Sequence, residues 1–402
     1  MDSRTKKNEK NILVTACYGH FLSHYNMLAF PALVIPLSQQ MGLGISQVLQ
    51  LSFFMYLLFG VTALFWGITA DKIGSRPLFF IFFIGAGISG LLAAFSTDSI
   101  IWLTLCLSLI GAFSGIHHPV GLGLISKEIK RVSVAHGTHG MYGNLGLSLA
   151  PLITGLLNWA YNPSAAYLFL GCLNCAGVIL LFAFPVTESK KTDKEKNIDT
   201  NKTLTPFLIL LIAMMLGGIV YRGATVITPT LFELNTTALQ SFIATISQYR
   251  ISSNLMATIL TSGIFLTGVA AQYAGGRLAE KYPPKYCYIC FHTITIPIAF
   301  LVSITSNLPL VLMIGIYFFF LLGMQPSENT LVAQLVPKKL LSSSYGLKFI
   351  LTFGVGAASV KAAGLISDYH GVRTVFAAIG ITSVLLVSTI AVLLIKLRIT
   401  DH

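Results

Sequence analysis

GITADKIGSR, Gly67 to Arg76, is a short polar break between two long apolar runs. A shift of 209 residues finds the break again as GRLAEKYPPK, Gly276 to Lys285. Gly67 then aligns with Gly276, Asp71 with Glu280, Lys72 with Lys281 and Arg76 with Lys285. The same shift sets His136–Gly137–Thr138–His139 against Tyr345–Gly346–Leu347–Lys348. Near the start of each half a shift of 198 pairs Pro31 with Pro229 and His24 with Arg222. A longer connection between the seventh and eighth apolar runs absorbs the 11-residue difference. Two parallel repeats about a central site is a transporter architecture.

The runs around these breaks set the class. Of 402 residues, 54% are hydrophobic and only 10% charged, whereas a soluble domain carries about a quarter charged residues. The apolar runs are long enough to cross a hydrocarbon layer of about 30 Å, and none shows the alternation of a membrane β-barrel. The pattern predicts twelve helical spans, at 11–38, 47–70, 78–96, 99–126, 135–160, 165–186, 205–234, 254–279, 286–305, 309–336, 342–366 and 373–395. The expected fold is an all-α membrane protein of twelve transmembrane helices in two pseudo-symmetric six-helix halves, residues 1–186 and 205–402. TESKKTDKEKNIDTNK, Thr187 to Lys202, is charged and lacks aromatics, so 187–204 reads as a flexible cytoplasmic linker. MDSRTKKNEK, at the start, shows no cleavable signal pattern.

A net charge of +12 raises the possibility of nucleic acid, and its placement argues against it. Of 26 lysines and arginines, 21 fall in the tails and the loops of one side, while the opposite loops hold only Arg250 and Arg373. The positive-inside rule then places both termini in the cytoplasm of a multi-pass protein of the inner (plasma) membrane. The pairs Cys172/Cys175 and Cys287/Cys290 lie in predicted spans without a completing ligand set, and read as apolar filler. No HExxH, GxSxG, Walker or Rossmann pattern occurs, so neither an enzyme, a cofactor nor a resident metal is expected.

GITADKIGSR resembles the loop signature of the major facilitator superfamily: glycine, three residues, Asp, a base, one residue, glycine, a base. Within that superfamily the chain is similar to the fosmidomycin-resistance branch of drug-efflux transporters. The similarity lies in GHFLSHYNMLAFPALVIPL in span 1, the His-Pro of GIHHPVGLGLIS in span 4, GNLGLSLAP in span 5 and YGLKFILTFGVGAASVKAAGLISDYHG in span 11. The resemblance implies a monomeric carrier of a small molecule. It also implies a cavity lined by spans 1, 4, 7 and 10 with 2, 5, 8 and 11, and a conformational latch at Gly67, Asp71, Lys72, Gly74, Arg76, Glu280 and Lys281. GNLGLSLAPLITG, Gly143 to Gly155, resembles the span 5 motif of antiporters, and its small residues would permit close helix packing. Relatives in the branch show an acid where His24 stands and a glutamate where Val120 stands, so proton coupling would have to move to other groups.

A charge at membrane depth is costly and marks function by default. Glu328 is the one acid well inside a span, and Arg222 and Lys348 are the deep bases. Six of nine histidines, His20, His24, His117, His118, His136 and His139, fall in spans 1, 4 and 5. His20 and His24, four apart, share a helical face, as do His136 and His139, three apart. His117 and His118 point about 100° apart, so one of them faces fully inward. Substrate contacts are expected from His24, His117, His118, Asn144, Arg222, Gln325 and Lys348. Proton coupling is expected from Glu328, His24, His118 and His139, with Arg222 either anchoring substrate or pairing with Glu328. A basic cavity with one carboxylate disfavours organic cations and favours anions. The expected activity is proton-coupled alternating-access transport of a small organic anion, with export favoured over uptake of a polycarboxylate or citrate-type metal chelate. A divalent-metal transporter is the lesser alternative, because no carboxylate or thiolate joins the histidines and Arg222 would repel the ion.

Overall fold

The computed structural model describes residues 3–130, 132–188, 200–246, 251–336 and 341–400. Twelve helical spans follow one another in the predicted order. Span 1 runs through Ser3–Ala29 and Val34–Met41, span 2 through Ile45–Leu51 and Phe53–Ile73, and span 3 is Ser75–Ala94. Span 4 comprises Ile100–Ser114 and His117–Glu128, span 5 is Val132–Ala160 and span 6 is Pro163–Ala183. Spans 7, 8 and 9 are Thr200–Asn235, Ser253–Lys281 and Pro284–Ile304. Span 10 is Asn307–Gly323 with Gln325–Leu335, span 11 lies within Leu341–His370 and span 12 is Thr374–Thr400. Eleven of them are long and apolar enough to cross a membrane. Span 5 has the length, 29 residues, but its histidines, Asn144 and glycines dilute its apolarity below that of the others.

Several boundaries differ from the sequence reading for local reasons. The predicted loop 71–77 shrinks to Gly74, which takes φ +85° and reverses the chain in a single residue. The L-side-chain penalty at such angles is absent for glycine. Residues 189–199 of the predicted linker lie outside the described residues, and span 7 already begins at Thr200. The long connection after span 7 holds a further ten-residue helix, Thr237–Ile246, with no buried residue.

Prolines break the spans unequally. Pro119 crowds the carbonyl four residues earlier, and span 4 interrupts there, at Gly115–Ile116. Pro326 acts alike on span 10, which interrupts at Met324. These matching breaks confirm the repeat in three dimensions. Pro31 forces a 3-10 turn over Phe30–Leu33, yet its partner Pro229 leaves span 7 continuous. Span 11, read as one helix, passes through a π-helical segment at Ile350–Gly354 and a 3-10 turn at Val355–Ala357 before resuming as Ala358–His370.

The halves meet along spans 2 and 11 and along spans 5 and 8. Small residues bring the backbones together. A Cβ on Gly60 would stand 2.7 Å from Gly354 Cα, inside van der Waals contact. Gly146 faces the Phe21 carbonyl, Gly143 the His20 ring and Gly155 the Thr258 side chain, which is the close packing expected of the span 5 glycines. The halves touch at both ends. At the end remote from the termini Asn254 Nδ2 donates to the Ala32 carbonyl at 2.9 Å, and Asn158 Nδ2 donates to Asn254 Oδ1 at 3.1 Å. Towards the termini Gly346 of span 11 packs on Leu64 of span 2. What lies between is enclosed.

Candidate functional site

Midway between the halves His24, Met27, Phe59, Tyr221, Arg222 and Phe353, among others, wall a narrow cleft too tight to admit a water molecule. His24 and Arg222, the pair matched by the repeat, thus face one space from opposite halves. Arg222 is 2% exposed. Its guanidinium carbon lies 4.0 Å from the centroid of the Tyr56 ring and 5.6 Å from that of Phe353. Its Nε has no hydrogen-bond partner, and among the described residues no carboxylate pairs with it. Cation–π contact offsets part of the desolvation cost, but the bare Nε leaves the guanidinium's donor set incomplete. Such a fork suits a carboxylate or a phosphonate.

The acid proposed as an alternative partner is engaged elsewhere. Glu328 Oε1 lies 2.7 Å from Lys348 Nζ, with the side chains 6% and 10% exposed. Tyr288 donates its hydroxyl to Glu328 Oε2 at 2.9 Å, and Lys348 also donates to Asn329 Oδ1 at 2.7 Å. Glu328 therefore pairs with Lys348 and not with Arg222. The ammonium lies two turns from the end of span 11, within reach of span 10, and satisfies its donors there. Of the two deep bases Lys348 is thus paired, while Arg222 has no carboxylate partner among the described residues.

Five of the six histidines collect into one cluster in the N-terminal half. His20 is its centre, although His24 was expected to be the more important of the two. Its ring stacks on that of His139 at 3.9 Å and lies 5.2 Å from that of His118. His20 Nδ1 contacts the His139 carbonyl at 2.7 Å, and its Nε2 contacts His24 Nε2 at 3.1 Å. His117 Nε2 contacts His139 Nε2 at 3.1 Å. The 100° divergence of the adjacent pair resolves cleanly. His117 turns into its own half, against Phe79 and Phe82, and away from the cleft. His118 turns toward the other half, stacking on Phe349 with ring centroids 5.0 Å apart. His136 is apart from the cluster, with Nε2 3.1 Å from Ser126 Oγ.

This arrangement of helices has a counterpart among known proteins. The model of the Major Facilitator Superfamily matches residues 16–247 and 231–402. The chain belongs to the major facilitator superfamily. It is 25% identical over 401 residues to the multi-drug resistance efflux pump PmrA of Streptococcus pneumoniae, covering 92% of this chain and 93% of that one. It is 31% identical over 177 residues to multidrug resistance protein D of Escherichia coli, covering 40% and 43% respectively. Its fold matches the crystal structure of a bacterial homolog of the human lysosomal transporter Spinster in an inward-facing, unoccupied conformation. That match has a TM-score of 0.76 at 12% identity, over 100% of this chain and 99% of the other. The protein is a membrane transporter of that superfamily, and not an enzyme.

The remaining candidates of this major facilitator chain lie outside the cleft. Asn144 is buried between spans 5 and 8, where its Nδ2 donates to the Gly140 carbonyl at 3.2 Å. Gln325 Oε1 accepts from Gln272 Nε2 at 2.7 Å, tying span 10 to span 8. Of the latch residues, Gly67 packs near Pro119, Gly74 makes the turn, and Lys72, Arg76, Glu280 and Lys281 are exposed. The Asp71 side chain lies outside the described residues. Glu188 caps a helix there: its Oε1 accepts from the Ser75 backbone N–H at the start of span 3. Sequence reasoning passed over Glu188 because it opens a charged linker. It also passed over the polar knot at the far end, where Glu233 accepts from Ser253 Oγ and Asn254 Nδ2, both at 3.0 Å. Asn254 is uncharged and carries no motif; only its place at the start of span 8 hinted at a role. Beside this knot an open recess of about 550 Å³ is lined by Gln39, Asn158, Trp159 and Glu233 among others.

Proposed function

We propose that this protein transports a small organic anion by alternating access, with Arg222 as its anchor and proton linkage through Glu328 and Lys348. The observation that carries the reading is the buried Arg222 guanidinium, stacked on Tyr56 and without a carboxylate, on the wall of the central cleft. A carboxylate or phosphonate entering the cleft would complete the donor set, while an organic cation would meet repulsion from it. Contact of the halves at both ends describes an occluded arrangement, which rocks open to one side or the other as substrate enters and leaves. Export is the direction supported by the relative matched over nearly the whole chain, which is named a multi-drug resistance efflux pump. Both termini lie in the cytoplasm on this reading, so the recess beside Glu233 faces outward. The chain works as a monomer in the inner membrane.

The Glu328–Lys348 pair favours a second reading of direction. With Glu328 ionised the pair carries no net charge; with Glu328 protonated, Lys348 is left as an uncompensated buried cation. Proton and anion then bind cooperatively, the linkage of a symporter driven inward. The test is thermal stabilisation of purified protein by a panel of carboxylates, phosphonates and organic cations, with proton uptake or release followed in weak buffer. Stabilisation by anions that Arg222→Ala abolishes supports the anchor; proton uptake on binding supports import, and proton release supports export. Stabilisation by cations that the substitution leaves unchanged would overturn the anion reading.

A further inference from the structure

The histidine cluster holds more than hydrogen bonds require. We propose that His20, His24 and His118 form a binding site for a borderline divalent transition ion of the zinc–nickel–copper class, with its fourth position open to the central cleft. The sequence reading expected no metal because no carboxylate or thiolate accompanies the histidines. The distances supply the missing argument. One ring nitrogen from each of the three lies within 4.8 Å of the others.

The tautomers follow from the neighbours. The His139 carbonyl can only accept, so the His20 Nδ1 at 2.7 Å carries the proton and Nε2 keeps its lone pair. This is the arrangement that orients metal-bound imidazoles, the outer nitrogen donating to a backbone carbonyl. His20 Nε2 lies 3.1 Å from His24 Nε2. Two nitrogens bonded at about 2.0–2.1 Å to one tetrahedral ion stand about 3.3 Å apart, so a small opening of that contact admits the ion. The third ligand is His118 Nε2, which is buried and has no hydrogen-bond partner. A bare polar nitrogen at that depth costs stability, and a metal would satisfy it. Phe59, Phe349 and Phe353 pack on the His118 ring and hold it toward the site.

The second set that lies within the same distance, His20, His117 and His139, shares His20 with the first. Its His117 and His139 already contact each other through their Nε2 atoms. They serve as the layer that fixes His20. Three neutral imidazoles suit zinc, nickel or copper. His24 belongs to both the triad and the cleft wall, so Arg222 opposes a bare cation and selects one whose fourth ligand is anionic.

The experiment is a cobalt(II) titration of chelator-stripped, tag-free full-length protein in detergent, read by the visible absorption of tetrahedral cobalt and then by competition with zinc. Wild type is expected to bind one equivalent. His24→Ala and His118→Ala should weaken binding by at least about 10-fold, and His370→Ala, on the exposed end of span 11, should not. X-ray absorption of the zinc-loaded wild type, which needs no variant, should count three imidazoles. No saturable cobalt band, binding that survives both substitutions, or fewer than three imidazoles would overturn the site and leave a hydrogen-bonded histidine cluster. The titration contains no organic anion, so its failure leaves the anion anchor standing, and failure of the anchor leaves the metal site standing.

Discussion

Removing one member of the Glu328–Lys348 pair should harm the protein more than removing both. The two groups are 2.7 Å apart and 6% and 10% exposed, with Tyr288 and Asn329 as further partners. Glu328→Gln leaves a buried ammonium held only by amide oxygens; Lys348→Met leaves a buried carboxylate held only by the Tyr288 hydroxyl. Breaking a buried pair from one side costs about 3–5 kcal/mol, whereas replacing both members by apolar groups is often neutral or stabilising. The surviving partners place each single change near the low end, about 3 kcal/mol. Glu328→Met/Lys348→Met should then unfold close to wild type, with the tyrosine hydroxyl as the residual loss. The assay is a double-mutant cycle on thermal unfolding in one detergent, with Glu328→Met and Lys348→Met as the singles. Both singles should melt several degrees below wild type, and the double above either. Additive losses would mean that the two side chains do not stabilise each other, and the proposed proton linkage would lose its structural basis.

Gly60→Ala should destabilise by about 1–3 kcal/mol, the cost of overpacking, because its Cβ meets the backbone of Phe353 and Gly354, whereas Gly263→Ala, with nothing within 4 Å, should melt like wild type. Asn254→Ala removes the contacts to Ala32, Asn158 and Glu233 at the end remote from the termini. Cysteines introduced in the adjoining recess should then label faster with a membrane-impermeant thiol reagent, and an unchanged rate would show that the knot does not hold that end closed. Glu188→Ala should cost about 0.5–2 kcal/mol, as loss of a helix cap does, and Glu188→Asp should not restore it fully because the shorter side chain falls short of the Ser75 N–H.

Much of the fold was legible because membrane helices advertise themselves. The carbonyls and amides of a span must be satisfied internally, so apolar length gave twelve spans in the right order. The repeat gave the His24–Arg222 pairing across the cleft. What remained hidden depended on atoms several residues from any motif. The glycine at 74 turns the chain alone, so helices continue through residues that look like a loop. The π-helical segment of span 11 arises where Gly60 presses on Gly354 and Gly218 on Thr352, contacts that no single span encodes. In the site, depth identified Glu328, Arg222 and Lys348, but not which base takes the acid. That choice rests on Lys348 reaching across from span 11 to span 10. Spacing separated His117 from His118 correctly in angle, but only packing shows that His118 is the one directed at the other half.

The central claim is that Arg222 holds the transported anion. It is tested most directly by uptake of a radiolabelled anion, chosen from those that stabilise the protein, into proteoliposomes of wild type, Arg222→Lys and Arg222→Ala. Saturable flux should be present in wild type, weakened in Arg222→Lys, which keeps charge but not the bidentate fork, and lost in Arg222→Ala. Wild-type flux persisting in Arg222→Ala would contradict the account.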